Sequence, residues 1–322
     1  MEEPSVGVDI PHPGSGRRGG RRAALTPRSA STALDARVVR AALKPLPKDA
    51  GKEIRGRLLI VGGSLRYPGA ALLASRAALR CGAGVVTIAA ARTVVEAIAG
   101  EDPNVTLFPL AEAQAGVVSA AAAAQVSTVT TERTRALLIG PGLAHAPGTD
   151  DFVIATLRNA RSITTVIDAD GLNALARTEA WRDSLPTKTI LTPHDGEAAR
   201  LAGSVVPSGA ARIAFAERHA REWGAVVCLK GAVTVVSDGK KTYVHDQPNP
   251  TLGVGGSGDV LGGAIGALVA RGLAPLAAAA SGVWAHGRAG ALLASEIGES
   301  GALASEIADA LPRALREIVE GR

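Results

Sequence analysis

The feature that most constrains the fold of this sequence is a repeated alternation of short apolar runs with loops and helix-forming stretches. The apolar runs are RLLIV (57–61), VVTIAA (85–90), ALLIG (136–140), TTVID (164–168), TILTP (189–193) and AVVCLK (225–230). None shows the polar alternation of a strand with one face in water, so each is typical of a strand buried on both faces. The sequence therefore predicts an α/β fold with a central, mostly parallel sheet flanked by helices on both faces.

The chain has 322 residues, of which 47% are hydrophobic, enough for one large domain. Residues 1–34 contain the Gly/Arg-rich stretch GSGRRGGRR and no apolar period, so we expect a disordered tail there and one domain over residues 35–322. Nucleic-acid contact by the tail is the alternative. Aromatic residues make up only 2% of the chain, which argues against a base-stacking surface and a nucleic-acid partner.

Cysteine usage and hydropathy bear on the compartment. Cys81 and Cys228 lie in apolar strings, which favours buried thiols in a reducing environment over a disulfide framework. The chain starts MEEPS without the pattern of a secretory signal, and no uncharged run reaches membrane-spanning length. We therefore expect a cytoplasmic protein with no membrane partner.

The loops that follow the predicted strands carry most of the polar motifs, and in such folds ligands bind at the carboxyl ends of the strands. VGGSLRYPGA (61–70) lacks the Lys-Ser/Thr of a phosphate-binding P-loop and is interpreted as a tight turn. GPGLAHAPG (140–148) exposes backbone groups to a ligand. His145 in this loop is interpreted as solvated, since no second residue lies at metal-ligand spacing.

Three further strand ends each allow a structural and a functional interpretation. Asp168 and Asp170 could hold Mg²⁺ through water, although capping of the next helix by Asp170 is favoured. In TPHDGE, capping explains Asp195 and Glu197 but leaves His194 as a candidate ligand donor. Lys230 could bind a nucleotide or only place a charge at the edge of a strand.

The stretch NPTLGVGGSGDVLGG (249–263) gives the strongest functional signal. Gly255, Gly256 and Gly258 allow successive N–H groups to face one point, and the helix that begins near residue 258 adds the positive end of its dipole. Such an anion hole suits phosphate oxygens. Asp259, at the same helix start, is placed to take a proton from a hydroxyl group as phosphate is transferred to it.

GGSGDVLGGAIGALVARG is similar to the G-x-G-D signature of the ribokinase-like superfamily. Together with GRLLIVGGSLRYPGAALLASRAALRCGAGVVTIAA, GPGLA, TPHDGEAARL and LKGAVT, it resembles the ADP/ATP-dependent NAD(P)H-hydrate dehydratases over about residues 35–320. The resemblance implies a ribokinase-like fold and a lyase of metabolite repair. Its expected reaction is nucleotide-driven phosphorylation of the 6-hydroxyl of (6S)-NADHX or NADPHX, followed by elimination to NADH or NADPH, AMP and phosphate.

The resemblance also implies site residues, with Asp259 catalytic and in contact with the substrate hydroxyl. The hydrated dinucleotide would be bound by Ala70, Gly142, His194 and Asp259. ADP, or ATP, would be bound by Lys230, Gly231, Ala232, Val233, Thr234 and Gly258. Mg²⁺ would bridge the phosphates, no protein residue being assigned as its ligand, and a homotetramer is expected.

Two positions depart from the family pattern: Ala144 stands where a third glycine is usual, and Asp195 where proline is common. Many relatives carry an N-terminal epimerase domain, so epimerase activity is expected from a separate polypeptide. Two alternative functions remain open. One is a kinase of the same fold for a vitamin precursor such as hydroxyethylthiazole, and the other is a non-catalytic nucleotide sensor.

Overall fold

The computed structural model describes residues 31–321. The strands are, in chain order, β1 (Thr32–Ala33), β2 (Arg57–Val61), β3 (Val85–Ala91), β4 (Thr106–Leu110), β5 (Glu112–Gln114), β6 (Val117–Val118), β7 (Thr134–Ile139), β8 (Thr164–Ile167), β9 (Thr189–Leu191), β10 (Val226–Leu229), β11 (Val233–Ser237) and β12 (Thr242–Asp246). The helices are α1 (Ala36–Ala42), α2 (Lys52–Arg55), α3 (Pro68–Arg80), α4 (Arg92–Ile98), α5 (Ala123–Val129), α6 (Thr149–Asn159), α7 (Asp170–Arg177), α8 (Asp195–Ala202), α9 (Gly209–Trp223), α10 (Ser257–Ala270), α11 (Pro275–Ile297) and α12 (Ala304–Glu320).

Within this range, one large sheet has the strand order β1-β12-β11-β10-β9-β8-β7-β2-β3-β4. Its neighbouring strands are parallel except where β11 pairs with β10 and β12. The short strands β5 and β6 form a separate antiparallel pair. The predicted central, mostly parallel sheet is confirmed, and β10 and β11 form an antiparallel hairpin whose turn contains Lys230.

The middle of the sheet is covered on both faces. Leu58, Leu59, Ile60 and Val61 of β2 are all buried, and successive side chains of a strand point to opposite faces. Helices α3, α10, α11 and α12 pack on one another, and α10 also packs on β2, β7 and β8. A second set of helices packs in sequence, α5 on α6, α6 on α7 and α7 on α8. The sheet is thus flanked by helices, as predicted.

Small residues allow α3 and α10 to approach until their backbones touch. A Cβ atom added at Gly263 of α10 would lie 2.0 Å from the carbonyl oxygen of Ala74 in α3. This packing suits a chain that builds its core from alanine and aliphatic residues. It also fixes the distance between the first turns of the two helices, which carry Ala70 and Asp259.

The described part of the predicted tail, residues 31–34, packs on the domain. Thr32 and Ala33 pair in parallel with β12, and Leu34 is buried. The Gly/Arg-rich part of that prediction lies in residues 1–30, outside the described residues. Cys81 and Cys228 are buried free thiols, as expected. In the range 31–321, no helix has both the length and the hydropathy needed to cross a bilayer.

The α3–α10 contact yields a stability prediction. We expect Gly263→Ala to lower the free energy of unfolding by about 1–3 kcal/mol, because the added methyl group must push two backbones apart. Gly69→Ala in α3 is the matched control, since a Cβ there meets no atom within 4 Å. Alanine should be neutral or stabilising at that helical position. Urea unfolding of both variants measures this, and equal losses would contradict the close contact.

Candidate active site

The carboxyl ends of five adjacent parallel strands, in the order β10, β9, β8, β7 and β2, meet at one edge of the sheet. The loops that leave these strands contain the polar clusters found in the sequence. Two of the loops touch, because Gly63 N donates to the carbonyl oxygen of Pro141 at 2.7 Å. A Cβ at Gly62 would lie 2.4 Å from that same oxygen. The turn after β2 therefore packs directly on the GPGLA loop.

Ala70 and Gly142 are brought together at this edge. Gly142 has a φ of +65°, and a Cβ there would lie 2.7 Å from Ala70 Cβ and 2.8 Å from Tyr67 O, so only glycine fits. Ala144, at the position of the missing third glycine, also takes a positive φ of 59°. That conformation costs an alanine about 1–2 kcal/mol. Ala144 therefore keeps a left-handed backbone conformation, which a glycine at this position would adopt at lower cost.

The structure corrects the interpretation of Asp170 as a helix cap. The residue at the N-cap of α7 is Ala169, whose φ is 48°, and no side chain caps this helix. Asp170 is instead the first helical residue, and its Oδ2 accepts a hydrogen bond of 2.8 Å from Ala144 N. The carboxylate thus ties the GPGLA loop to the start of α7.

Asp168 and Lys230 form a buried ion pair at the centre of the edge. Asp168 is 1% exposed, and its Oδ1 accepts from Lys230 Nζ at 2.7 Å and from Thr192 Oγ1 at 2.8 Å. Burial alone would lower the pKa of Lys230, but the carboxylates of Asp168 and Glu197 outweigh burial and raise it. The ammonium group therefore stays charged and faces the site rather than the edge of a strand.

Asp259 lies at the start of α10, which begins at Ser257 after the N-cap Gly256 with φ 88°. Burial raises the pKa of Asp259 to about 7, and the negative charge of Asp168 adds to the effect. Among the described residues, no side chain caps the first N–H groups of this helix. Ser257 N donates to Val254 O at 3.2 Å, whereas the N–H groups of Gly258 and Asp259 make no hydrogen bond within the described residues, so these two groups and the helix dipole remain open to an anion.

His194 caps α8, a role that the sequence analysis did not assign to it. Its Nδ1 accepts from Gly196 N at 3.0 Å and from Glu197 N at 3.4 Å, while Glu197 Oε2 accepts from His194 N at 2.8 Å. Partial burial and then the charge of Lys230 lower the pKa of His194, so the neutral ring carries its proton on Nε2. Burial raises the pKa of Glu197 to about 7.

A cavity of about 840 Å³ opens between the β10–β11 turn, the loop that follows β12, the start of α10 and the middle of α11. Its size is in the range of pockets for small ligands. Most of the residues assigned by the resemblance to the adenine nucleotide line it, together with His194: they are Lys230, Gly231, Ala232, Thr234 and Gly258. Val233, Ala70, Gly142 and Asp259 are not among its lining residues. Asp259 follows Gly258 directly, and the charges of Asp168 and Lys230 act on its pKa, so its carboxyl group belongs to the same polar cluster.

The cavity wall also contains polar residues that sequence reasoning missed. Ser257 Oγ lies 3.0 Å from His286 Nε2, and His245 is a further buried lining residue. Burial lowers the pKa of His286 to about 4, so this ring is neutral at pH 7. His245 could have been found from hairpin register, because it lies opposite Thr234 in the β11–β12 pair. His286 sits in an Ala-rich helix without a recognisable motif.

Two observations bear on metal binding. The His145 side chain is 63% exposed, with Nδ1 3.9 Å from Asp150 Oδ1, in line with a solvated loop residue. In residues 31–321, no group of three or more His, Cys, Asp or Glu side chains is arranged to hold a metal ion.

Comparison with known proteins places this site in context. A profile of the NAD(P)H-hydrate dehydratase family matches residues 58–313. The bifunctional NAD(P)H-hydrate repair enzyme Nnr of Moorella thermoacetica is 40% identical over 272 residues, which are 84% of this chain and 51% of that enzyme. The ADP-dependent (S)-NAD(P)H-hydrate dehydratase of Xanthomonas campestris is 40% identical over 291 residues, 88% of this chain and 97% of that one. The chain thus spans about half the length of the bifunctional relatives that it matches.

Solved structures agree on the fold. The ADP/ATP-dependent NAD(P)H-hydrate dehydratase of Bacillus subtilis, co-crystallised with ATP and Mg²⁺, has a TM-score of 0.73 at 28% identity, covering 89% of this chain and 99% of that one. The hydroxyethylthiazole kinase of Pyrococcus horikoshii has a TM-score of 0.59 at 17% identity, covering 87% of this chain and 95% of that one. The second likeness concerns the fold alone. The ribokinase-like fold implied by the resemblance is confirmed.

The raised pKa of Asp259 yields a prediction about stability and pH. Its pKa is about 7 in the folded protein against an ordinary value of 3.8, so the folded state keeps a proton that the unfolded chain releases. The free energy of unfolding therefore falls as the pH rises from about 3.8 to about 7, and the full destabilisation by the Asp259 charge is present above that range. Asn carries no charge, so Asp259→Asn should escape the penalty.

We expect the stability gained by this variant over the wild type to be about 1–2 kcal/mol larger at about pH 8 than at about pH 4.5, after allowance for solvent screening. Urea unfolding at the two pH values measures the difference. A gain that does not change with pH would contradict the raised pKa.

Proposed function

The chain belongs to the NAD(P)H-hydrate dehydratase family, and from this premise we propose that it is an ADP-dependent (S)-NAD(P)H-hydrate dehydratase, a hydro-lyase. Its substrates would be (6S)-NADHX or NADPHX and a nucleotide, and its products NADH or NADPH, AMP and phosphate. The observation that carries the proposal is a nucleotide-sized cavity lined by Lys230 and by Gly258, which lies in the uncapped first turn of α10 directly before Asp259.

ADP, or ATP in its place, is proposed to occupy the 840 Å³ cavity. Residues Lys230–Thr234 form the turn on one side, and Gly258 lies at the N-terminus of α10 on the other. A Cβ at Gly258 would lie 3.5 Å from Lys230 Nζ, so the ammonium group and the helix start face the same space. Both favour negative charge, which suits the phosphates of a nucleotide.

Mg²⁺ is proposed to accompany the nucleotide, as in the co-crystallised Bacillus subtilis relative. Asp168 uses Oδ1 for Lys230 and Thr192, and within the described residues its Oδ2 accepts no hydrogen bond. Mg²⁺ commonly keeps several waters and binds one or two carboxylates together with substrate phosphates, so the donors present fit such an ion. Asp168 and Asp170 would hold it through water. When bound, it would neutralise charge on the phosphates.

Asp259 is proposed as the catalytic base. As the 6-hydroxyl oxygen attacks the terminal phosphorus of the nucleotide, the O–H bond breaks and the proton passes to the Asp259 carboxylate. The bond between that phosphorus and the leaving nucleotide breaks at the same time. A pKa raised to about 7 makes this carboxylate a stronger base than an ordinary aspartate, while part of it remains ionised at neutral pH.

Ala70, Gly142 and His194 are proposed to bind the hydrated dinucleotide. Ala70 and Gly142 lie in close contact. Nδ1 of His194 is used in capping α8, so the donor to the ligand would be the N–H of Nε2, which lies 3.4 Å from Glu197 Oε1. After phosphoryl transfer, the phosphate would leave with the electrons of its C–O bond. Loss of a ring proton would then restore the double bond of the reduced nicotinamide.

Three further features belong to the proposal. They are a cytoplasmic location, a homotetrameric state and an epimerase supplied by a separate polypeptide.

The proposal is tested by recovery of the reduced-nicotinamide absorbance from hydrated NADH or NADPH on addition of ADP or ATP. Asp259→Asn should lower this rate by about 100-fold or more, because the proton acceptor is lost, while nucleotide binding persists. Asp151→Asn is the matched control, since Asp151 is an exposed acid in the first turn of α6. A wild-type rate in Asp259→Asn would refute the catalytic role. Turnover of hydroxyethylthiazole without recovery would favour the kinase alternative.

Nucleotide binding can be tested at Gly258. An alanine Cβ there would make only an ordinary contact, whereas valine places two further carbons where the phosphates would approach. We expect Gly258→Val to weaken ADP binding by about 10-fold or more and Gly258→Ala to weaken it less, because the backbone hydrogen bonds to phosphate are blocked. Calorimetry measures both affinities. Unchanged affinity in the valine variant would place the phosphates elsewhere.

A further inference from the structure

A buried arginine on α9 lies beneath the β10–β11 turn that is proposed to hold the nucleotide. The Arg212 side chain is 9% exposed. Its Nε donates to Val233 O at 3.0 Å, and its Nη2 donates to Lys230 O at 2.7 Å. The guanidinium group therefore binds the main chain at both ends of the turn. A Cβ at Gly231 would lie 2.6 Å from Nη2, so the turn closes tightly on the arginine.

The same guanidinium group reaches the loop that carries His194. Its Nη1 donates to Asp195 Oδ1 at 2.6 Å, and Asp195 is the first residue of α8, directly after the His194 cap. The Asp195 side chain is 61% exposed and forms this ion pair from the rim of the site. One planar group with fixed donor directions thus bonds to the turn and to the His194 loop at once.

A second link joins these two segments and does not involve Arg212. Lys230 N donates to Pro193 O at 2.8 Å, and Lys230 Nζ lies 3.9 Å from Glu197 Oε2. The turn and the loop therefore cannot shift independently by much. Because Arg212 adds a charge-assisted bond on each side, its loss would loosen the connection without removing any group that touches a ligand.

We propose that Arg212 is a positioning residue that couples the nucleotide-holding turn to the His194 loop, so that each ligand strengthens the binding of the other. The inference rests on the proposed function, which assigns the turn to the nucleotide and His194 to the hydrated dinucleotide. Coupling between two binding sites is reciprocal and is commonly 5-fold or more in affinity. One ligand would order the turn, and the protein would then lose less conformational entropy when the other ligand binds.

The test measures binding of α,β-methylene-ADP, an ADP analogue that cannot transfer its terminal phosphoryl group, by calorimetry with and without saturating hydrated NADPH. In the wild type, the dinucleotide should tighten analogue binding about 5-fold or more. In Asp195→Ala, the ratio of analogue affinity with the dinucleotide to analogue affinity without it should fall below about 2. The affinity for the analogue alone should change less than about 3-fold. In Arg212→Lys the analogue alone should also bind more weakly, since the ammonium group of lysine cannot reproduce the set of hydrogen bonds that the planar guanidinium group makes to the turn.

Arg218→Lys is the matched control on the same helix, because Arg218 is exposed and contacts His219 and Glu222 instead. It should keep the wild-type ratio. A ratio of one or less in the wild type, or an unchanged ratio in Asp195→Ala, would overturn the inference. If Arg212→Lys fails to fold, Asp195→Ala decides, as Asp195 lies mostly outside the core. A wild type that binds neither ligand would instead overturn the proposed function and the inference with it.

Discussion

The buried ion pair between Lys230 and Asp168 is the interaction on which the rest of the site depends. It joins the ends of β10 and β8, which are separated in the sheet by β9. Removing two charges from water costs several kcal/mol each, which a buried pair offsets only through close contact and further hydrogen bonds such as the one from Thr192. The position of the ammonium group, and with it the region that attracts phosphate, is thereby fixed.

Burial and the charges of this pair together determine the protonation of the neighbouring acids. Asp168, Glu197 and Asp259 share one ammonium group, and burial raises the pKa of the last two carboxyl groups to about 7. The site therefore carries less negative charge near neutral pH than its three acids suggest, which favours an incoming phosphate. A structure built only for stability would not keep such acids together, so their cost is consistent with a chemical role.

The sequence predicts those parts that depend on local pattern. The sheet follows from uninterrupted apolar runs, and the helix start at Asp259 follows from the glycines before it. The rest depends on contacts that spacing does not encode. Asp168 and Lys230 are 62 residues apart, and Arg212 lies in a helix with no motif. Asp170 is not the predicted helix cap, because Ala169 takes a positive φ and occupies the N-cap position, which makes Asp170 the first residue of α7. His194 caps α8 with an imidazole nitrogen, an acceptor that capping patterns do not include.

The contact of Gly263 with Ala74 has a consequence for how this fold can diversify. The first turns of α3 and α10 are held at a separation determined by two main chains, with no side-chain torsion between them. Mutation can widen that gap only by parting the helices and cannot narrow it at all. In proteins that keep this contact, new ligand preferences can therefore arise from side chains and loops around the site, while the spacing of the two helices stays the same.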